Sequence, residues 1–363
     1  MRLGVEAALV GGRLLSGDVE IDGDGVVAVG RTGRPGSGIA APGFVDLQVN
    51  GIAGVDFLTA DEAGYATACE ALLATGVTTV LPTLVTASEE VLRGALGALP
   101  RGECAPRIPG AHLEGPFLSP ARLGAHDPAH RRDPDPALLE RLLAAGPVAL
   151  MTLAPELTGA LELVDLLRAR GVAVSLGHSE ASADEANLAF DRGARGVTHV
   201  FNAMPPLAGR EPGLAGAALA RDDVVVQAIV DGVHLAVEIE RLLAPACGGR
   251  LALVTDATAA AGLGDGRFTL GGQAIVVERG VSRREDGVLA GSTLTMPQAV
   301  RNLVAHDVPL ESALEAASLV PAELLGRSSL QGLAVGAPAD IVVLDDALQV
   351  VRTVVGGVEV YRA

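Results

Sequence analysis

The sequence predicts an α/β protein: a (β/α)8, TIM-like barrel with a small β-sandwich domain formed by the N- and C-terminal segments. Three observations carry that expectation. Both chain ends are rich in short β-branched runs broken by glycine and aspartate, and the middle alternates short apolar runs with helical periods. The third is that the polar residues of greatest chemical interest fall where those apolar runs stop.

The first forty residues, with "ALVGGRLLSGDVEIDGDGVVAVG", have the punctuation of antiparallel strands and hairpins, and "GAPADIVVLDDALQVVRTVVGGVEVY" near the other end has the same texture. Residues 1–41 and 332–363 are therefore expected to share one small sheet domain, with residues 42–331 as the barrel. Within the middle, "VTTVLPTL" precedes "SEEVLRGALGALP", "PVALMTLAPE" precedes "LTGALELVDLLRARG", and "VAVSLGHS" precedes "ASADEANLAFDRGA". The pattern continues with "VVVQAIVDG" before "LAVEIERLLAPACG" and with "RLALVTDA", which reaches "TMPQAVRNLVAHD" after an insertion. Apolar runs followed by helical periods mean parallel strands with crossover helices. About eight such pairs fit between residues 42 and 310, which suits a barrel of roughly 250 residues better than an open sheet. The strand ends then gather on the face where barrels carry their active sites. The glycine-rich "GLGDGRF" at 262–268 does not join a strand to a helix as a dinucleotide loop must, and reads as a loop or hairpin turn. "DGDG" at 22–25 lacks the downstream glutamate of a calcium loop and also reads as a turn.

Composition narrows the classes of function. At 363 residues, 49% hydrophobic, the chain can bury a full core. Its net charge of −17 and the absence of a basic run exclude nucleic acid and anionic membranes as expected partners. All 27 basic residues are arginine, so there is no lysine for a Schiff base, a phosphate loop or a metal bridge. Cys69, Cys104 and Cys247 are widely spaced, which argues against a disulfide framework or a cysteine zinc site and for a reducing compartment. The first residues lack the features of a signal peptide, and "LLAAGPVALMTLAP" is interrupted by Gly146-Pro147 and too short to span a bilayer. A cytoplasmic location is expected.

Four strand ends form a set: Glu114 in "HLEGPF", His178 in "SLGHS", His199 in "VTHVFNAM" and Asp256 in "LVTDA". Two neutral imidazoles and a carboxylate suit a divalent ion such as zinc with a position left for water, and the remaining aspartate can accept that water's proton. Singly, each has a structural reading, since a histidine at a strand end often only satisfies a hydrogen bond and Glu114 could pair with an arginine. Their coincidence at one end of one barrel favours the metal site.

The stretches "PGFVDLQVNG", "HLEGPFLSPARLGAHDP", "LGHS", "THVFNAMPPLAGREPGLAG", "DGVHL", "VTDAT" and "LAGSTLTM", in that order, span most of the chain. The chain resembles the N-acetylglucosamine-6-phosphate deacetylases of the amidohydrolase superfamily, whose fold is a metal-dependent barrel carrying a small β domain. The resemblance implies hydrolysis of the acetamide of an N-acetylated amino-sugar phosphate, the gluco epimer first, with the galacto epimer or another N-acyl amino sugar as the alternative. A cyclic-amide hydrolase of the same superfamily ranks lower because those enzymes typically use a bridging lysine. A catalytically inactive sugar-phosphate sensor ranks lower because every catalytic position is filled.

The resemblance also assigns roles by position. Many amidohydrolases end their first barrel strand in His-x-His to hold a second metal; here those places are Gln48 and Asn50. That implies one divalent ion per chain, Zn2+ first, with Fe2+, Mn2+ or Co2+ as alternatives. The two amides then either line the pocket or satisfy buried backbone groups. His126 matches the residue that contacts substrate and polarises the acetyl carbonyl, and Arg210 and His234 match residues that grip the sugar and its phosphate. Asn202 and Ala203 present amides to the same phosphate, and a homodimer partner contributes to that site. His112 receives no role from the resemblance; it shares a strand face with Glu114, which leaves open a place behind the metal ligands. His130 and His306 receive no role and are expected to be solvated, in a loop and near a helix end.

Overall fold

The computed structural model describes residues 1–30, 36–102, 105–327 and 332–363, so Cys104 lies outside the described residues. Eight parallel strands make the central sheet: β1 Phe44–Val49, β2 Val77–Val85, β3 Ala111–Glu114, β4 Val148–Leu153, β5 Ala173–Leu176, β6 Gly196–Val197, β7 Val225–Ala228 and β8 Leu251–Leu253. They neighbour one another in chain order. The segment beyond β8 closes the ring onto β1, with the Asp256 N–H donating to Gln48 O at 2.9 Å and the Asn50 N–H to Ala257 O at 2.8 Å.

Strands covered on both faces lose the alternation of apolar and charged residues, and β2, "VTTVLPTLV", carries no charge and is buried at every residue. Pro82 inside it has no N–H to offer a ladder. The β1–β2 register shifts there, between Asp46 and Val49, and Thr83 Oγ1 accepts the Val49 N–H at 3.0 Å. The helical periods read from the sequence become Glu89–Ala98, Ala160–Ala169, Ala183–Asp191, Val237–Cys247 and Met296–Ala305. Two start where a serine satisfies a free amide: Ser88 accepts from Val91, and Ser182 forms a reciprocal box with Glu185.

The chain ends build the β-sandwich. Six strands, in the order Arg13–Ser16, Ala7–Val10, Ile39–Pro42, Ile341–Leu344, Val350–Val355 and Val358–Arg362, form one sheet, and Asp18–Asp22 with Gly25–Gly30 forms a second. The "DGDG" stretch is the turn of that second pair. Period-two alternation divides the large sheet's side chains. Ala40, Ile341 and Val343 join the sandwich core with Val19, Ile21 and Val26, while Ala41, Val342 and Leu344 join the barrel's core. One sheet thus serves two cores.

The insertion after β8 is more ordered than the sequence suggested. "GLGDG" is a turn leading into three antiparallel strands, Gly266–Leu270, Gln273–Glu278 and Val281–Arg284. Among the described residues no helix is long and apolar enough to cross a membrane.

Candidate active site

Glu114 is the last residue of β3, and His178, His199 and Asp256 lie two or three residues past the ends of β5, β6 and β8. The latter three share an unusual backbone: φ is +48° at His178, +29° at His199 and +50° at Asp256. Side chains other than glycine seldom occupy that region, and where they do the surroundings must hold them there. The turn redirects each chain off its strand so that the side chain faces the barrel axis.

Glu114 Oε1 lies 3.2 Å from His178 Nε2 and 3.0 Å from His199 Nε2, and the two nitrogens are 3.1 Å apart. His178 Nδ1 stands 2.8 Å from the Arg122 carbonyl oxygen, which can only accept. In the neutral ring the proton is therefore on Nδ1, and Nε2 turns a lone pair toward the carboxylate. Electron-rich atoms converging in this way call for a cation. Their spacing fits one, because ligands about 2.0–2.1 Å from a tetrahedral ion are roughly 3.3 Å from each other. His199 Nδ1 is buried and has no partner among the described residues. Burial pushes the Glu114 carboxyl up, but the imidazoles of His126, His178 and His199 around it outweigh burial and hold the group well below the usual carboxylate range.

Opposite this trio stands Asp256. Asn50 Nδ2 donates to Asp256 Oδ1 at 2.7 Å and Gln48 Nε2 to the same oxygen at 3.1 Å, while Gln48 Nε2 also reaches Glu114 Oε1 at 2.9 Å. The two amides thus bind carboxylate side chains, a role neither sequence expectation named. Asn50 also lines the cavity, whereas Gln48 is fully buried behind it. Burial, reinforced by the charge of Glu114, pushes the Asp256 carboxyl up to about 7. Beneath it Asp46 joins β1 to the segment after β8, accepting from Thr255 Oγ1 at 2.6 Å and Thr255 N at 3.2 Å. The "LAGS" motif closes the far side: Ser292 N donates to Asp256 O at 2.8 Å. At Gly291, φ is +56° and a Cβ would come 2.7 Å from that same carbonyl, so only glycine fits.

A cavity of about 360 Å³ opens over these groups, with His126, Asn202, Ala203, His234, Arg122 and Gln273 in its wall. His126 Nδ1 accepts the Thr86 N–H at 3.2 Å, which leaves the neutral ring's proton on Nε2, 3.6 Å from Glu114 Oε2. His234 Nδ1 pairs with Asp231 Oδ2 at 2.8 Å, and Asp231 Oδ1 accepts the His234 N–H. Burial opposes charge on His234, but Asp231 outweighs it and raises the histidine's pKa. Arg210 is exposed and lies outside this chain's own cavity wall. Asn202 turns its side-chain amide inward to the carbonyls of His199 and Val200.

The remaining histidines divide. His112 is fully buried below the site between Thr83 and Thr152, whose hydroxyls lie 3.2 and 2.8 Å from its nitrogens, and burial lowers its pKa to about 4, which keeps it neutral. His130 is half-buried. His306 is not solvated as expected: its side chain is 16% exposed and Nδ1 lies 2.8 Å from the fully buried Glu240, whose other oxygen accepts the Gly232 N–H beside the His234 loop. Sequence reasoning also passed over Asp231, Thr86 and Gln273. Only Asp231, three residues before His234, carried a local signal.

A buried carboxylate–imidazole trio and an opposed aspartate at the C-terminal face of a parallel barrel define a metal-dependent hydrolase, and the chain belongs to the amidohydrolase family, whose model matches residues 39–360. Among its relatives, the human N-acetylglucosamine-6-phosphate deacetylase is 43% identical over 349 residues, covering 90% of this chain and 85% of its own. An N-acetylgalactosamine-6-phosphate deacetylase of Escherichia coli O157:H7 is 38% identical over 325 residues, covering 86% of this chain and 85% of its own. The structure superposes on a variant N-acetyl-D-glucosamine-6-phosphate deacetylase from Mycobacterium smegmatis, solved in complex with N-acetyl-D-glucosamine 6-phosphate. The TM-score is 0.92 at 41% identity, covering 99% of this chain and 98% of that one.

Proposed function

We propose that this protein hydrolyses the acetamide of N-acetyl-D-glucosamine 6-phosphate to D-glucosamine 6-phosphate and acetate. The observation that carries the reading is the meeting of Glu114, His178 and His199 with Asp256 around one cavity.

Glu114, His178 and His199 would hold one divalent ion, Zn2+ first and Fe2+, Mn2+ or Co2+ as alternatives for the same donors. When bound, such an ion supplies Lewis-acid polarisation of the acetyl oxygen and lowers the pKa of water. Asp256 takes a proton from the attacking water as the new C–O bond forms at the amide carbon, its carboxylate aimed by Asn50 and Gln48. His126 donates its Nε2–H to the acetyl oxygen, where charge gathers in the tetrahedral intermediate. Asp256 then returns the proton to the nitrogen, the C–N bond breaks, and the amine leaves neutral. The sugar phosphate is gripped by His234, braced by Asp231, where Asn202 and Ala203 line the same cavity wall.

The partner's Arg210 completes that grip in a homodimer, a reading supported by the exposed position of Arg210 outside its own chain's cavity. Arginine's planar fork suits a phosphate. We place the protein in the cytoplasm, on its cysteine spacing, and divide it at residues 1–41 with 332–363 against 42–331, a division supported by the two separate cores.

The galacto epimer is a second reading, favoured by the Escherichia coli relative. Acetate release from purified protein, measured over both epimers with and without the 6-phosphate, tests the assignment. Preference for the phosphorylated gluco compound is expected, and activity confined to unphosphorylated sugars would overturn it.

A further inference from the structure

The three-stranded insertion touches the reacting region at one point. Alternation along its middle strand sends Gln273, Ile275 and Val277 to the barrel side, where Ile275 and Val277 are buried, while the opposite face carries the exposed Arg267 and Arg283. The turn before Gln273 is tied down, because Gly271 N–H donates to Asp56 Oδ2 at 3.0 Å and the other oxygen of Asp56 accepts the Leu58 N–H. From that anchored turn Gln273 Nε2 donates to the carbonyl oxygen of Ala125 at 3.0 Å, and Arg284 Nη1 approaches the same oxygen at 3.5 Å.

That oxygen belongs to the peptide linking Ala125 to His126. Its direction sets the plane from which the His126 amide and side chain depart. Other constraints on His126 come from elsewhere: its N–H donates to Leu123 O at 3.0 Å, its ring accepts from Thr86, and its Nε2 faces Glu114. We propose that the insertion is a clamp on the His126 loop and that Gln273 is a positioning residue, aiming the Nε2–H of His126 at the acetyl oxygen through the Ala125 peptide. The proposal rests on the reading of His126 as donor to that oxygen.

The test uses the metal-loaded enzyme. Gln273→Met keeps side-chain length and removes the donor, and Gln273→Ala is the second variant should the first fail to fold. A fall in kcat of about tenfold is expected, since small misplacements of a reacting group cost up to ~10²-fold. KM, metal content and Tm should stay unchanged. In a double variant with His126→Ala, kcat should fall no further than in His126→Ala alone, because Gln273 acts only through that ring. Additive losses would overturn the proposal, as would a raised KM with an altered ratio between the two epimers, which would make Gln273 a sugar contact. Unchanged kcat in the Gln273 variants overturns the clamp alone; unchanged kcat in His126→Ala overturns the role of His126 on which it rests.

Discussion

Asn50 Nδ2 lies 2.7 Å from Asp256 Oδ1, a donor from the end of the first barrel strand against the carboxylate that follows the last. Removing that donor, as in Asn50→Ala, should lower kcat roughly tenfold to a hundredfold, the range set by one hydrogen bond to a charged group. The bond favours the ionised carboxylate, so its loss raises the Asp256 pKa and moves the acid limb of the kcat/KM–pH profile to higher pH. An unmoved limb would detach Asn50 from the base.

Asp256→Asn should retain the metal and lose turnover by about 10²- to 10⁴-fold, because an amide cannot accept the proton. Near-normal kcat in a metal-replete variant would place the base elsewhere.

Chelation should abolish activity, and titration with a divalent ion should restore it at one equivalent per chain, with Gln48 and Asn50 occupied by carboxylates instead of a second ion. Elemental analysis showing two tightly held equivalents would refute the single site.

Arg210→Ala should leave Tm unchanged, since the side chain is exposed. It should reduce kcat/KM for the phosphorylated substrate by roughly ten- to a hundredfold, the worth of one charge-assisted contact. Equal loss on the unphosphorylated sugar would assign Arg210 to the loop's structure.

Asp46 is fully buried, and burial raises its pKa from 3.8 to about 7 against the opposing hydrogen bonds of Thr255. Between those values the folded chain keeps a proton that the unfolded chain has released, so stability falls as pH rises from about 4 to about 7. Asp256, also raised to about 7, adds a slope of the same sign. Asp46→Asn mimics the protonated acid and should flatten the slope in metal-free protein, read by chemical denaturation at several pH values. A slope equal to that of the parent would show that Asp46 does not titrate in this window.

The parts legible from sequence were those written locally. Strand ends such as "HLEGPF" and "LVTDA" announce themselves by an apolar run stopping at a charge, and the helices by their period. What escaped was set by closure of the ring. Gln48 and Asn50 meet Asp256 only because the first strand lies beside the segment after the eighth, and Gln273 reaches Ala125 across nearly half the chain. Neither contact leaves a mark in the spacing of its own segment. His306 looked like a helix-end residue in water because its partner, Glu240, sits on a different helix.

The sheet shared by the two chain ends has a consequence for synthesis. Ile39–Pro42 pairs on one side with Ala7–Val10, but its other neighbour, Ile341–Leu344, emerges from the ribosome roughly 300 residues later. Until then the nascent chain carries an open strand edge and an uncovered flank of barrel, both available to neighbouring chains. Ile341–Leu344 and the two strands after it cover that edge. Emergence of Ile341–Leu344, rather than completion of the barrel, marks the earliest moment at which that edge can be covered.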